Sequence, residues 1–589
     1  MPASPVIDTS TQVRAGRLSA QAVASEALAR AVAYDAVQPQ AWILRRPAAD
    51  VLASARRIDD RIAAGEDLPL AAVPYAVKDN IDVAGLPTSA GCPAFAYVPT
   101  RDAHVVSRLE RAGALLLGKT NLDQFATGLV GTRSPHGAPA CVYNREYISG
   151  GSSSGSAVVV AAGIVAFALG TDTAGSGRVP AAYNGLVGLK PTRGRWSTTG
   201  VVPACRSLDC VSVLARSVAD AALVDRIAHG YDACDDYSRP APAPVPPRTG
   251  PLRIGFAHKE QLHYFGDTES AALDSRARDR LLESGAVGIE VDISPLLAAA
   301  QLLYGGPWVA ERTAAIDAFL AAQPGAVHPV VRGIIEGGRA VSGVAVYQGM
   351  YALEGYRRQA AQMWSQIDVL VLPTAPTIYR IAELLAEPLT LNSQVGRYTN
   401  FVNLLDMAAV AIPAGYRTNR TGYGVTLIGP AWSDEHLWAV AAQFAPTLGA
   451  GPPPLDLTPR PPTVQLAVVG AHLSGMPLHW QLSSRGARLA RRVRTAAAYR
   501  LYAMAGTSPP KPALVHSAAD GVAIDVEVYE LGVAEFGSFV ADVPAPLAIG
   551  TVELEDGTAV KGFVAEPRAL AGATDVSAYG GWRAYLASR

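Results

Sequence analysis

Alanine and leucine recur at helical spacing through residues 19–65, in SAQAVASEALARAV and ADVLASARRIDDRIAAG, which predicts two helices flanking a core, with Ser19 as N-cap. The pattern then changes. AAVPYAVKDNIDVAG reads as a short β-rich run ending at Lys78, and ALLLGKTN, residues 114–121, as a second buried strand. The continuous apolar run from Ala157 to Leu169 sits between glycines, is too short to span a bilayer and predicts a buried core helix. Strands alternating with helices favour an α/β architecture built on a central mixed sheet covered by helices. Two proline-rich stretches interrupt the pattern, RPAPAPVPPRTGP (Arg239–Pro251) and GPPPLDLTPRPP (Gly451–Pro462). LRIGFA follows the first and can rejoin the same sheet, so that stretch reads as an internal crossing. The second is the better boundary: it suggests one domain over residues 1–450, a linker over 451–463, and a smaller β-rich α+β domain over 464–589 opened by VQLAVVGAHLSG.

Composition adds a compartment and removes some partners. With 49% hydrophobic residues in 589, the chain is built for extensive burial, not disorder. Its formal net charge of -1 favours neither nucleic acid nor an anionic membrane, which leaves a small-molecule substrate as the simpler expectation. Cys92, Cys141, Cys205, Cys210 and Cys234 are odd in number and lack CxxC spacing, and MPASPVIDTSTQ lacks the basic cluster and apolar core of a secretory signal. Both readings point to reduced thiols in a cytoplasmic protein. The ten histidines show no metal-ligand spacing and no phosphate loop is present, so neither metal nor cofactor is expected.

The chemistry concentrates in GGSSSG (150–155), GTDTAGSGR (170–178) and the upstream VKDN. A serine hydroxyl is a poor nucleophile at neutral pH and needs a base, and a lysine serves once desolvation lowers its pKa. Small residues around Ser176 let backbone N–H groups approach a substrate oxygen. GSSSG also fits a nucleophile elbow centred on Ser153, which would need a later acid and histidine. Asp172 and Arg178 flank the second loop, where an ion pair that scaffolds the loop is the simpler role.

PYAVKDN, SGGSSSGSA and LGTDTAGSGRVPAAYNGLVGLKPT resemble the amidase signature family over roughly residues 70–210. The resemblance implies that fold and a Lys, cis-Ser, Ser triad that falls on Lys78, Ser152 and Ser176. It also implies oxyanion donors from the backbone N–H groups of Thr173, Ala174 and Gly175. The sequence departs from the family's common GGSSGG at Ser154 and from GGSIR at Ala174 and Gly177, none of them in the triad.

FATGLVGTRSPHG, LLYGGPWVAER and NSQVGRYTNFVNLLDMAAVAIPAG extend the resemblance to the allophanate hydrolase subgroup, and so to nearly the whole chain. That subgroup hydrolyses allophanate, a small planar anion, to ammonia and N-carboxycarbamate, and in the end to two ammonia and two bicarbonate. A planar carboxylate calls for a guanidinium clamp with hydroxyl support. The subgroup's tyrosine and arginine match Tyr304, expected in a loop, and Arg312, on a helix with Pro307 in its first turn; Gly128 and Ser134 match its pocket wall. The resemblance further implies a homodimer, no cofactor, and a functional link to a separate ATP-dependent urea carboxylase. The C-terminal part resembles the γ-glutamyl cyclotransferase-like fold, yet EFGSFVADV offers no glutamate where that fold's catalytic one falls. His472 is the distinctive group of its opening loop, either structural or active on the unstable dicarboxylate. The competing functions are a broad-specificity amidase, a noncatalytic scaffold and one subunit of an amidotransferase.

Overall fold

The computed structural model describes residues 4–243, 250–448, 453, 455 and 463–589. The chain divides into two compact units, Met1–Thr458 and Pro459–Arg589. Most of the second proline-rich stretch, expected to be a linker, lies outside the described residues, as does part of the first.

The first unit is organised on an 11-stranded sheet. Its strands are β1 (Trp42–Arg45), β2 (Pro74–Lys78), β3 (Leu115–Thr120), β4 (Phe167–Asp172), β5 (Val187–Lys190) and β6 (Cys210–Ala215). They continue with β7 (Arg253–Ala257), β8 (Val287–Val291), β9 (Val369–Pro373), β10 (Met407–Tyr416) and β11 (Gly422–Pro430). The spatial order is β1-β3-β2-β4-β6-β5-β10-β11-β9-β7-β8. β2 pairs in parallel with both β3 and β4, whereas β4–β6 and β10–β11 are antiparallel, so the sheet is mixed as its alternating pattern predicts. LRIGFA supplies β7 of this same sheet, in parallel with β8 and β9.

The strand period places the chemistry. Tyr75 and Val77 of β2 enter one hydrophobic cluster, with Leu169 and Val213, while Ala76 enters another, with Ala157 and Val158 of the Ser154–Ala161 helix. Lys78 has the parity of Ala76, and it ends the strand on the side where that helix begins. Helices Ala20–Asp35 and Ala48–Ala63 pack in the same cluster, the first capped by the Ser19 hydroxyl, which accepts from Ala22 N–H.

One expectation is overturned. The apolar run from Ala157 to Leu169 is not a single helix: the helix stops at Ala161, and β4 begins at Phe167. Gly163, at φ 74°, takes the left-handed conformation that ends a helix, and its N–H is satisfied by Val160 O. A run with no polar interruption carries no period by which helix and strand could be told apart.

The second unit holds a five-stranded sheet and a three-stranded sheet. β12 (Thr463–Val468) pairs with the long β16 (Asp525–Gly532) and, in parallel, with β18 (Ala559–Ala565); β13 (Arg488–Arg494) and β17 (Leu547–Glu553) form the edges. β14 (Tyr499–Ala503), β15 (Pro512–His516) and β19 (Thr574–Asp575) make the smaller sheet. Among the described residues, no helix is long and apolar enough to cross a membrane.

Candidate active site

Lys78 is fully buried at the end of β2, where its Nζ donates to Ser152 Oγ and to Thr171 Oγ1, both at 2.7 Å. Burial lowers its pKa from the ordinary 10.5 to about 7, against the pull of Asp123, Asp172 and Asp209. A lysine so placed is substantially neutral near physiological pH and can accept a proton. The Gly151–Ser152 peptide bond is cis. Gly151 leaves no room for a side chain, since a Cβ there would sit 2.3 Å from Asp123 Oδ2.

Ser176 is buried in the loop between β4 and the Arg178–Tyr183 helix. Ser153 N–H donates to Ser176 O at 3.3 Å, which draws the two serine loops together. Ser176 Oγ donates to Gly128 O at 3.4 Å and not to Ser152, so the second hydrogen bond of the expected relay is not formed here. The neighbouring Ser153, nucleophile of the elbow reading, is held at both ends by a β4 residue: its Oγ donates to Thr171 O at 3.2 Å and accepts from Thr171 N–H at 3.3 Å.

Asp172 organises the Ser176 loop. Its carboxylate accepts Gly175 N–H at 2.8 Å and Gly177 N–H at 3.1 Å, and it meets the Arg178 guanidinium in a two-pronged pair with both contacts at 2.9 Å. Burial works to raise the Asp172 carboxyl, but Arg178 outweighs it and holds the pKa below its ordinary value. This corrects one expectation: the Gly175 N–H is committed to Asp172, so of the three proposed oxyanion donors only Thr173 and Ala174 remain for a substrate. Sequence reasoning also missed Asp209, whose buried carboxylate accepts from Thr173 Oγ1 at 2.5 Å and from the N–H groups of Ala204 and Cys205. Burial raises its pKa to about 6, with those hydrogen bonds opposing.

Tyr304 and Arg312 come together beside this loop. Tyr304 lies in the Ser294–Gly305 helix and not in a loop, and Pro307 is the N-cap of the Trp308–Ala322 helix and not a first-turn residue. The cause of both differences is that only Gly306 and Pro307 separate the helices, so Tyr304 still belongs to the last turn of the first. Arg312 stacks over the Tyr304 ring at 5.0 Å and donates to Tyr304 Oη at 3.3 Å and to Thr127 Oγ1 at 3.2 Å. It is buried, its Nε has no partner, and among the described residues no carboxylate stands within ion-pair distance. Thr127 precedes Gly128, the acceptor for Ser176, so Arg312 and Ser176 are linked through two consecutive residues. Ser134 does not join them: its hydroxyl donates to Asn121 Oδ1 at 2.7 Å and accepts from His136 N–H.

His472 belongs to the second unit. Its Nε2 lies 2.7 Å from Gln481 Oε1, and its ring stacks on Phe563 at 5.0 Å beside a cavity of about 280 Å³ that Lys511 and Ser508 also line. Burial lowers its pKa, with the Gln481 hydrogen bond opposing. Among the described residues, no group of histidine, cysteine and carboxylate side chains could hold a metal ion.

The sequence matches the Amidase family over residues 25–438 and the Allophanate hydrolase C-terminal domain over residues 464–587. It is 45% identical over 546 residues to the urea amidolyase of Saccharomyces cerevisiae, an alignment that takes in 88% of this chain and 30% of the relative. The chain thus spans about 30% of the length of the curated urea amidolyases it matches. A Glutamyl-tRNA(Gln) amidotransferase subunit of Deinococcus deserti is 36% identical over 73% of this chain and 93% of that one. Among solved structures, Kluyveromyces lactis allophanate hydrolase superposes with a TM-score of 0.68 at 43% identity, covering 93% of each chain. A buried lysine hydrogen-bonded to a serine of the Gly/Ser loop, inside a match of this extent, leaves one assignment: the chain belongs to the amidase family and carries an allophanate hydrolase C-terminal domain.

Proposed function

We propose that this protein hydrolyses allophanate, urea-1-carboxylate, to ammonia and N-carboxycarbamate through an acyl-enzyme on Ser176. Neutral Lys78 takes a proton from Ser152 as Ser152 takes one from Ser176, and the Ser176 oxygen attacks the terminal amide carbon. Thr173 and Ala174 N–H groups receive the charge that develops on the amide oxygen. The proton returns along the same path to the departing nitrogen, ammonia leaves, and water then releases the second product. The dicarboxylate so formed loses carbon dioxide, and the C-terminal unit, with His472 over its cavity, is the candidate place for that step. An enzyme that carboxylates urea must supply the substrate.

The observation that carries the choice of substrate is Arg312. A buried guanidinium with only hydroxyl partners is incompletely compensated, and a planar carboxylate set against it would satisfy the unpaired Nε. Kinetics of Arg312→Ala on allophanate and on an uncharged amide test the reading. Removing one partner of a desolvated charge pair costs about 2–5 kcal/mol, which lowers kcat/KM for allophanate by roughly 30- to 5,000-fold. The uncharged amide should lose far less. Equal losses on both substrates would overturn the clamp and favour a broad-specificity amidase.

A further inference from the structure

Arg133, like Arg178 and Arg312, is a buried guanidinium, and it has no catalytic task in the proposed reaction. Its Nη1 donates to Thr127 O at 3.0 Å and its Nη2 to Pro388 O at 2.6 Å, while its own backbone N–H donates to Asp123 Oδ1 at 3.0 Å. Asp123 also takes the N–H groups of Val130 and Gly131, at 3.1 and 3.0 Å, so the loop from 123 to 133 closes on a single carboxylate. The Arg133 side chain then runs back across that closed loop to its opposite end. Its Cδ lies 3.2 Å from the point a Cβ on Gly128 would occupy, and Gly128, at φ 157°, has conformational freedom only a glycine provides.

Two neighbouring residues are thereby fixed from two directions. Thr127 is gripped at its carbonyl by Arg133 and at its hydroxyl by Arg312. Gly128 presents its carbonyl to Ser176 Oγ. On the far side, Leu129 N–H donates to Asn392 Oδ1 at 2.9 Å, and Pro388 O takes the other prong of Arg133, so the same segment anchors both. The Thr127–Gly128 peptide, whose carbonyl Arg133 holds, lies between the Thr127 hydroxyl that supports Arg312 and the Gly128 carbonyl that accepts from Ser176, so a shift of that peptide would be passed to both neighbours.

Burying an arginine to hold two neutral carbonyls is costly, since neither returns the charge compensation a carboxylate would. Among the described residues Arg133 has no ion-pair partner, and its Nε, like that of Arg312, has no partner at all. What the guanidinium offers that an amide or an ammonium does not is a rigid fork, able to hold two carbonyls from separate chain segments in one plane.

We propose that Arg133 is a positioning residue of the hydrolytic site, fixing the Thr127–Gly128 peptide through which the carboxylate clamp and the nucleophile share one geometry. This rests on the reading of Ser176 as nucleophile and Arg312 as clamp, and it implies a kinetic signature different from that of either. Arg312 acts on anionic substrates alone. Arg133 sets the orientation of Ser176, so its loss lowers turnover of charged and uncharged amides alike.

The test measures kcat and KM for allophanate and for an uncharged amide in Arg133→Ala, Arg133→Lys and Arg312→Ala, with thermal midpoints alongside. Displacing a reacting group by about 1 Å costs on the order of 100-fold in rate, so Arg133→Ala should lose about that factor in kcat on both substrates. Added guanidinium should restore part of it, where tetramethylammonium at equal ionic strength restores none. Arg133→Lys, which keeps the charge and loses the fork, should recover little. Wild-type kcat in Arg133→Lys, or loss in Arg133→Ala that follows a lowered thermal midpoint and ignores guanidinium, overturns the proposal. Ser176→Ala run in parallel separates the two ideas: full activity there would refute the hydrolytic mechanism itself, whatever Arg133 does.

Discussion

In the proposed mechanism turnover depends on Lys78, a lysine without a counter-ion in ion-pair contact among the described residues, and its burial should set the pH dependence of the reaction. Because burial brings Lys78 from 10.5 to about 7, kcat/KM should rise with pH along an acid limb centred near 7, where neutral lysine becomes the major form. The same shift bears on stability. The folded pKa lies below the unfolded one, so the cost of burying Lys78 is at its full size below pH 7 and is relieved as pH rises from about 7 towards 10.5. Lys78→Met should therefore abolish turnover while raising the thermal midpoint, and more at pH 6 than at pH 9; calorimetry showing an equal gain at both would place the titration elsewhere. Ser153 makes the complementary case. Its hydroxyl is spent on the Thr171 backbone, so Ser153→Ala should keep measurable ammonia release where Ser176→Ala keeps none. The serines were legible because their motif is local: GGSSSG and GTDTAGSGR lie within 30 residues of each other. Thr127 and Arg133 were not, since each takes its role from a partner far along the chain, Thr127 from Arg312, 185 positions away, and Arg133 from Pro388, 255 away; Asp209 lies outside both motifs.

At the level of elements, the loop from Asp172 to Arg178 is held by one carboxylate that takes three of its N–H groups and the Arg178 guanidinium. Asp172→Asn would leave Arg178 buried without its charge partner, a loss of about 3–5 kcal/mol that chemical denaturation can read. Gly175→Ala attacks the same loop differently: at φ 125°, an added Cβ would lie 2.4 Å from Thr399 Oγ1, so turnover should fall even where the fold survives. The strands were readable from sequence wherever one face differed from the other or turn signals bounded them, as in β2 and β3. The buried Ala157–Leu169 run was not, because a segment enclosed on every side shows no alternation, and only the backbone of Gly163 marks where helix gives way to strand. Tyr304 was misplaced for a related reason: two glycines and a proline read as a loop, while the helix in fact absorbs Gly305.

At the scale of the molecule, the two units are separate hydrophobic bodies, and the whole Lys78, Ser152 and Ser176 apparatus lies in the first. A chain ending near residue 457 should still release the first ammonia from allophanate, and the change should appear in how fast carbon dioxide follows. Time-resolved gas and ammonia measurements on the full chain, the shortened chain and His472→Ala decide whether the second unit takes part in that step; identical curves for all three would limit it to a structural role. The first unit is itself divided, in a way with consequences beyond this one reaction. In the proposed mechanism the bond-making groups come from residues 78–176, whereas the groups set against the carboxylate come from a pair of helices between Ser294 and Ala322. Relatives named as differently as a urea amidolyase and one subunit of a tRNA amidotransferase align over the shared core. The two sets of groups are therefore separate in sequence, although Thr127 and Gly128 join them in space. A randomised library confined to those two helices, screened for retained ammonia release, tests how far recognition can change without loss of the proposed cleavage.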